Sequence, residues 1–275
     1  MAEYPAIRKL IDRWIVAPNV GRLERAILRS GKIMALSQYT KRTLQEIEDK
    51  PIVSAVLPMP VDAAFWTPRP ESRVVGRVGF CGRLSDPRKN IGLLLAAIAQ
   101  ATVSMTEISV VLIGGEAENR VHARLVQLGI ADRVKFIPSA TGAALRAQLR
   151  SLDLFVLPSH QEGLCIAALE AMACGCPVVS TRCGGPEEFV IDGETGILVG
   201  FDPEEMAAAM LQVLGDRTLH ARLARGARDR VLRDYSIASA ESIFWREFDE
   251  HFPQLARGRP TEPATSSWRV ASLSV

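Results

Sequence analysis

From residue 74 onward, the sequence alternates short apolar runs with longer helix-forming segments. Strands that alternate with helices are typical of a parallel sheet covered by helices on both faces. We therefore predict an α/β domain. Its strands are expected at 74–81, 108–113, 134–137, 154–157, 177–181 and 196–199, and its helices at 90–101, 118–128, 143–149, 164–173, 186–190, 203–214, 219–234 and 238–252.

The sequence before these elements is organised differently. Apolar runs at 32–37 and 52–58 indicate two short strands, and Ser37 is placed to cap a helix that lies between them. Residues 5–30 have a helical pattern. The segment 58–70 is rich in proline and has the composition of a linker.

Two glutamates lie where the fourth predicted strand of the α/β domain passes into its helix. Glu162 stands in the loop after the strand, and Glu170 stands eight positions later among strong helix formers. Open α/β sheets bind ligands at the carboxyl ends of their strands. This strand–loop–helix segment is therefore the candidate ligand site.

The start of this helix has the features of an anion site. Gly163, Leu164 and Cys165 are predicted to open the helix, so that their N–H groups lack intrahelical partners. Such groups, together with the helix dipole, bind phosphate. Glycine at 163 also allows the backbone to approach a ligand closely.

The spacing of the two glutamates argues against paired acid–base chemistry. Glycoside hydrolases hold two carboxyl groups about 5–9.5 Å apart, whereas eight residues of helix span about 12 Å. Binding two parts of one ligand suits the spacing of Glu162 and Glu170 better. The structural alternative is a helix-capping acid followed by an exposed helix acid.

A longer pattern surrounds the glutamates. Residues 171–179 read Ala-Met-Ala-Cys-Gly-Cys-Pro-Val-Val, Gly184-Gly185 follows, and Gly-Arg-Leu and Arg-Lys-Asn stand upstream at 82–84 and 88–90. In spacing, order and strand context, these residues resemble the donor site of retaining glycosyltransferases of the GT-B fold, family 4. The resemblance extends from about Val74 to about Phe252. It implies a Rossmann-like parallel-sheet domain preceded by a partial second Rossmann-like domain.

The resemblance implies a catalytic role for three residues, Arg83, Lys89 and Glu162. The two cations would stabilise the charge that develops on the diphosphate as the bond to the sugar breaks, without an obligatory metal or other cofactor. Arg88 is the alternative to Lys89, and a solvated basic turn is the structural alternative to both. Glu162 would contact the donor sugar, and Glu170 would accept hydrogen bonds from the ribose hydroxyls.

The remaining donor-site residues follow from the same resemblance. Gly82 would leave room for the ligand, and Ile137 and Pro138 end the strand where the family places the base. His160 is a candidate for lining the donor pocket, although a single loop histidine is more often a surface residue. The donor-binding set is therefore Gly82, Ile137, Pro138, His160, Gly163, Leu164, Cys165 and Glu170.

The resemblance also divides the chain. Residues 1–72 would be the remnant of an acceptor domain plus the linker, 73–235 the nucleotide-sugar-binding domain, 236–253 a helix returning toward the first domain, and 254–275 a disordered tail. The first part holds two strand signals, fewer than a complete α/β domain needs. We therefore expect a fragment, a product of an internal start codon or a natural truncation, with weak donor binding and negligible transfer alone.

Other functions stay open at this stage. A nucleotide-sugar-binding module without transfer activity would keep the same donor residues. Another GT-B enzyme, such as a nucleotide-sugar epimerase or a phosphorylase, is a further alternative. A glycan, a lipid or a small molecule could each be the acceptor.

The composition limits which binding partners and which cellular location we expect for this chain. The net charge of +2 argues against a nucleic-acid binder. Residues 1–42 carry nine Lys and Arg against three acids; we expect a solvated helix face, with peripheral contact to anionic lipid as the alternative.

Five cysteines form no disulfide or zinc pattern. No apolar run of about 18 residues and no signal peptide is visible, so we expect a cytoplasmic protein, with location at the inner face of the membrane as the alternative.

Overall fold

The computed structural model describes residues 33–46, 53–115 and 119–253. The chain divides into two compact units between Leu57 and Pro58. The predicted helices at 5–30, the basic N-terminal residues up to 32 and the predicted tail at 254–275 lie outside the described residues.

The described part of the first unit is a β–α–β element. Ser37 caps its helix as predicted, because the Ser37 hydroxyl accepts a hydrogen bond of 3.0 Å from the Thr40 N–H. The two strands pair in parallel. These elements are β1 (Ile33–Ala35), α1 (Gln38–Gln45) and β2 (Val53–Val56).

The second unit contains a parallel sheet of six strands within the described residues, in the order β5-β4-β3-β6-β7-β8. Its strands are β3 (Arg77–Cys81), β4 (Ser109–Ile113), β5 (Val134–Ile137), β6 (Leu154–Leu157), β7 (Val178–Thr181) and β8 (Gly196–Val199). Its helices are α2 (Ile91–Ser104), α3 (Asn119–Gln127), α4 (Gly142–Ser151), α5 (Ile166–Ala173), α6 (Pro203–Gly215), α7 (Arg217–Asp234) and α8 (Ile237–His251). The prediction of a parallel α/β sheet is confirmed.

Several element ends differ from the prediction. β3 begins at Arg77 instead of Val74, because Gly76 adopts φ +74° and the Arg77 N–H donates to the Val74 carbonyl in a turn. The predicted helix at 186–190 is a 3₁₀ turn at Gly185–Glu188. These differences leave the order of the strands along the chain as predicted.

The strand order places β3 beside β6, with β4 and β5 on one side and β7 and β8 on the other. The chain thus winds outward in opposite directions from the β3–β6 pair. At such a reversal the loops after the two central strands diverge and leave a crevice between them. All four residues of β6 are buried, so the floor of this crevice belongs to the hydrophobic core.

The proline-rich segment packs on the second unit. Trp66 is buried, and the Val61 N–H donates to the Tyr235 carbonyl at 2.8 Å. Arg228 of α7 donates to the carbonyls of Ala63, Trp66 and Ala173 at 3.0, 2.5 and 2.6 Å. The units therefore divide before this segment, at Leu57, whereas the sequence suggests a linker that continues to residue 72.

Replacement of Arg228 by Met should lower the free energy of unfolding by about 2–3 kcal/mol. The substitution keeps much of the aliphatic chain but leaves three carbonyl groups without their charged donor. Urea unfolding of the purified chain measures the effect. Arg225→Met, at an exposed position of the same helix, is the matched control. An equal loss in both variants would contradict the role of Arg228.

Helix α8 carries aromatic side chains that the second unit does not cover fully. Phe244 and Trp245 are exposed, and their rings lie 5.1 Å apart in an edge-to-face arrangement. Phe248 is half-buried. None of the helices within residues 33–46, 53–115 and 119–253 combines the length and the apolar character that crossing a bilayer requires.

Candidate functional site

The loops after β3 and β6 meet through one ion pair. Lys89 Nζ lies 2.7 Å from Glu162 Oε1, and the two side chains are only 16% and 10% exposed. The Ser159 hydroxyl donates to the same Oε1 at 2.6 Å. The structure thus brings together two residues that are 73 positions apart in the sequence.

The backbone around Glu162 is fixed by the loop after β7. The Glu162 N–H donates to the Cys183 carbonyl at 2.8 Å, and the Gly185 N–H donates to the Glu162 carbonyl at 2.9 Å. A Cβ on Gly185 would lie 2.1 Å from the Gly163 carbonyl oxygen. Glycine is therefore required at 185 for the two loops to approach this closely.

Glycines also shape the end of β3. Gly114 has φ +117°, and a Cβ there would lie 2.5 Å from the Gly82 carbonyl oxygen. A Cβ on Gly82 would contact Phe80 at 3.0 Å and Lys89 Cε at 3.5 Å. Gly82 therefore lies directly beside the Lys89 side chain.

The other two cations of the loop after β3 face Asp86. Arg88 donates to both Asp86 oxygens, at 3.1 and 2.7 Å, and the guanidinium of Arg83 lies 3.7 Å from the same carboxylate. Hydrogen bonds from the Arg88 side chain and backbone lower the pKa of Asp86 to about 2. Arg88 and Arg83 are both exposed. Between the two neighbouring candidates, Lys89 is the one that points to Glu162.

The helix that follows Glu162 begins later than predicted. α5 starts at Ile166, and Cys165 precedes it in the left-handed conformation with φ +69°. The prediction that Gly163, Leu164 and Cys165 open the helix is therefore wrong. Gly163 and the buried Leu164 belong to the loop, and the first helical N–H groups are those of Ile166 and the residues after it. The helical estimate of the Glu162–Glu170 separation does not apply either, because Glu162 lies outside the helix.

Glu170 of α5 acts electrostatically on the last residue of β3. Its carboxyl group is mostly buried, and this burial raises its pKa to about 7. Burial and then the negative charge of Glu170 raise the pKa of Cys81, the last residue of β3, to about 12, while Lys89 acts on Cys81 in the opposite direction. Glu170 and Lys89 are therefore both within electrostatic reach of the carboxyl end of β3.

His160, Ile137 and Pro138 lie at the same edge of the sheet. The His160 N–H donates to the Arg88 carbonyl at 2.7 Å, and its exposed ring lies 5.4 Å from that of Phe201. Ile137 ends β5, where its carbonyl accepts from the Gly114 N–H at 3.0 Å; Pro138 after it is exposed. Since β4 separates β5 from β3, these two residues lie two strands away from the ion pair.

Sequence reasoning missed two side chains at this edge. Ser159 stands three positions before Glu162, the spacing of a local side-chain contact, and this signal could have identified it. Phe201 follows β8 and is 49% exposed. The contact between its ring and that of His160 depends on how the loops after β6 and β8 pack. The sequence does not signal this packing.

Among the described residues, the group of carboxylates and histidine that is close enough to share a metal ion lies on α8, not at the Lys89–Glu162 pair. Glu247, Glu250 and His251 bring their ligand atoms within 4.8 Å of one another near the end of α8. Glu247 is already paired with Arg246 at 3.4 Å.

The family model described as "Glycosyl transferases group 1" matches residues 76–216 of the chain. The D-inositol 3-phosphate glycosyltransferase of Stackebrandtia nassauensis is 35% identical over 167 residues. This match covers 57% of the chain and 38% of that relative. The chain therefore matches less than half the length of this curated relative.

Solved structures show the same fold. The sucrose-phosphate synthase of Thermosynechococcus elongatus has a TM-score of 0.77 at 25% identity, covering 85% of this chain and 61% of that one. The Anabaena protein HepE, solved in complex with UDP and glucose, has a TM-score of 0.72 at 21% identity, covering 80% and 63%. The predicted GT-B type of α/β fold is confirmed.

Proposed function

This chain belongs to the group 1 glycosyltransferases, and on that premise we propose that it transfers a sugar from a nucleotide-diphosphate sugar to an acceptor with retention of configuration. Retention is included because residues 162–185 resemble the donor signature of retaining enzymes. The observation that carries the proposal is the Lys89–Glu162 pair in the crevice between β3 and β6.

Lys89 is suited to the leaving group of the reaction. When the bond between the sugar and the diphosphate breaks, negative charge develops on the phosphate oxygens. A mostly buried ammonium group interacts with that charge more strongly than an exposed one. Arg83, which is exposed in the same loop after β3, would add a second cation. We propose that these two residues supply the charge, so that no metal is obligatory.

The two glutamates are suited to the two ends of the donor. Glu162, held beside Lys89, would accept hydrogen bonds from hydroxyls of the transferred sugar. Glu170, on the first turns of α5 and near β3, would accept from the ribose hydroxyls. The loop from Gly163 to Cys165 and the start of α5 would face the diphosphate between them.

The comparisons support a nucleotide-sugar donor. HepE, which has the same fold, was solved with UDP and glucose. The curated relative is named as an inositol-phosphate glycosyltransferase. UDP-glucose and inositol 3-phosphate are therefore the first donor and acceptor to test.

We expect the purified chain to bind UDP-glucose roughly tenfold or more tightly than uridine, a difference of about 1.4 kcal/mol, because only the former presents a diphosphate to Lys89. Titration calorimetry in the presence of EDTA measures both affinities. GDP-mannose and guanosine form the parallel pair. Equal affinities within both pairs, or binding that requires a divalent cation, would contradict the proposal.

The stereochemistry has its own measurement. Product accumulated from UDP-glucose and inositol 3-phosphate, at the low turnover expected of this chain alone, should carry an α-linked sugar, which the anomeric proton coupling in an NMR spectrum reports. A β-linked product would contradict retention and leave the donor assignment intact.

A further inference from the structure

We propose that Ser159 is a positioning residue for the transfer reaction. Its hydroxyl holds one oxygen of Glu162, so that the carboxylate keeps a fixed orientation toward the donor sugar when Lys89 turns to the diphosphate. The inference rests on the function proposed above, because it concerns how Glu162 acts at that site.

The contact has the geometry of a strong hydrogen bond. Ser159 is fully buried, and its hydroxyl oxygen lies 2.6 Å from Glu162 Oε1. This distance lies within the range of about 2.5–2.7 Å that is usual when a hydroxyl donates to a carboxylate. Lys89 reaches the same oxygen at 2.7 Å. Both contacts thus converge on Oε1, and the carboxylate plane is fixed from one side.

Ser159 is itself anchored to a different strand. Its carbonyl accepts a hydrogen bond of 2.6 Å from the Thr181 hydroxyl at the end of β7. Glu162 is linked to the same region, because its N–H donates to the Cys183 carbonyl. The serine and the glutamate are therefore held in one frame, and the hydroxyl needs no rearrangement to reach the carboxylate.

Lys89 and the Ser159 hydroxyl, the two hydrogen-bond donors to Oε1, respond differently when a diphosphate ligand binds. Lys89 is a cation on a flexible stem, and an entering diphosphate competes with Glu162 for it. The Ser159 hydroxyl is neutral and enclosed, so it stays on the carboxylate. When the donor is bound, the Ser159 hydroxyl thus still holds Oε1 and opposes a change of rotamer of the Glu162 side chain.

A purely structural serine would behave differently. Loss of a buried hydroxyl in a structural role lowers stability and affects every ligand of the crevice to a similar extent. Loss of a residue that orients Glu162 affects only the part of the ligand that Glu162 contacts. The sugar moiety therefore separates the two roles, since UDP lacks it. UDP also carries one more ionisable phosphate oxygen than UDP-glucose, but this difference cancels when each ligand is compared between the variant and the wild type.

The test compares UDP with UDP-glucose in the full chain. In Ser159→Ala, we expect the affinity for UDP to stay within about twofold of wild type, while the preference for UDP-glucose over UDP falls about tenfold, the size of one lost hydrogen bond to a charged group. Ser180→Ala is the matched control, because it removes a buried hydroxyl that donates to the Thr181 carbonyl.

A double-mutant cycle tests whether Ser159 acts through Glu162. In a Glu162→Ala background, Ser159→Ala should change the UDP-glucose preference less than about twofold. An equal loss for UDP and UDP-glucose, no loss for either, or a full additional loss in the Glu162→Ala background would overturn the inference. Failure of the wild-type chain to bind UDP-glucose, UDP, GDP-mannose or GDP would instead overturn the proposed function, and the inference with it.

Discussion

The Lys89→Met variant should bind UDP about ten- to a hundredfold more weakly than the wild-type chain, while its affinity for uridine stays unchanged. The expected loss corresponds to about 1.4–2.8 kcal/mol, the range of one hydrogen bond between ionised groups. Uridine lacks the diphosphate and so does not sense the missing ammonium group. Titration calorimetry with the two ligands measures the difference.

Arg88→Met is the control that the structure offers for this variant. Arg88 is the adjacent cation, but it is exposed and bound to Asp86. Its removal should therefore weaken UDP binding less than about threefold, through the general electrostatic field alone. If both variants lose the same affinity, the crevice recognises net charge, and the assignment of Lys89 to the diphosphate fails.

The Lys89→Met substitution should also lower the free energy of unfolding of the unliganded chain, by about 2–3 kcal/mol. It removes the cation that contacts the mostly buried carboxylate of Glu162 and leaves the neutral hydroxyl of Ser159 on the same oxygen. The double variant Lys89→Met/Glu162→Gln removes the stranded charge and should regain most of that stability. Urea unfolding of the three proteins measures this. A double variant as unstable as Lys89→Met would show that lost packing, and not charge, dominates.

The alternation of strands and helices along the second unit was predictable because each strand is a short apolar run between helix-forming segments. The order of the strands across the sheet was not predicted, because apolar runs do not show which strands pair. Their exact ends were less predictable. Gly76 and Cys165 adopt positive φ angles, +74° and +69°, and these decide where β3 and α5 begin. A positive φ is uncommon for a cysteine, and the sequence around residue 165 does not signal it.

The linker shows how long-range contacts override composition. Its prolines indicate an extended connection, yet Trp66 is buried and Arg228 holds three carbonyls of the segment and its surroundings. Arg228 is more than 150 positions away in the sequence, so no local pattern could show the contact. The same reason explains why motifs located Lys89 and Glu162 but did not predict their pairing, which depends on side-chain conformations at the meeting of two loops.

The Glu170→Gln variant should be more stable than the wild-type chain at pH 8, by about 3 kcal/mol, and by less than about 1 kcal/mol at pH 5. Burial raises the pKa of Glu170 from 4.5 to about 7, so between these values the folded state binds more protons than the unfolded state. The free energy of unfolding therefore falls as pH rises through this window and levels off above it. Glutamine mimics the protonated acid and removes that loss. Urea unfolding at the two pH values measures it, with Glu241→Gln on the exposed face of α8 as the control.

The same substitution should weaken donor binding. The reason is that Glu170, whose ionised form destabilises the unliganded chain, is also the residue proposed to hold the ribose. Ribose hydroxyls donate most strongly to the ionised carboxylate, so binding of UDP-glucose should release a proton below about pH 7 and strengthen as pH rises from 6 to 8. UDP-glucose suits this measurement because its phosphates are diesters and lack the secondary ionisation near pH 6 of a phosphate monoester.

In Glu170→Gln, binding should be weaker at pH 8 by about tenfold or more and nearly independent of pH. A variant that is both more stable and equally tight at pH 8 would show that Glu170 is a buried acid without a part in donor binding. A variant that is less stable at pH 8 would show that the carboxylate is satisfied within the fold.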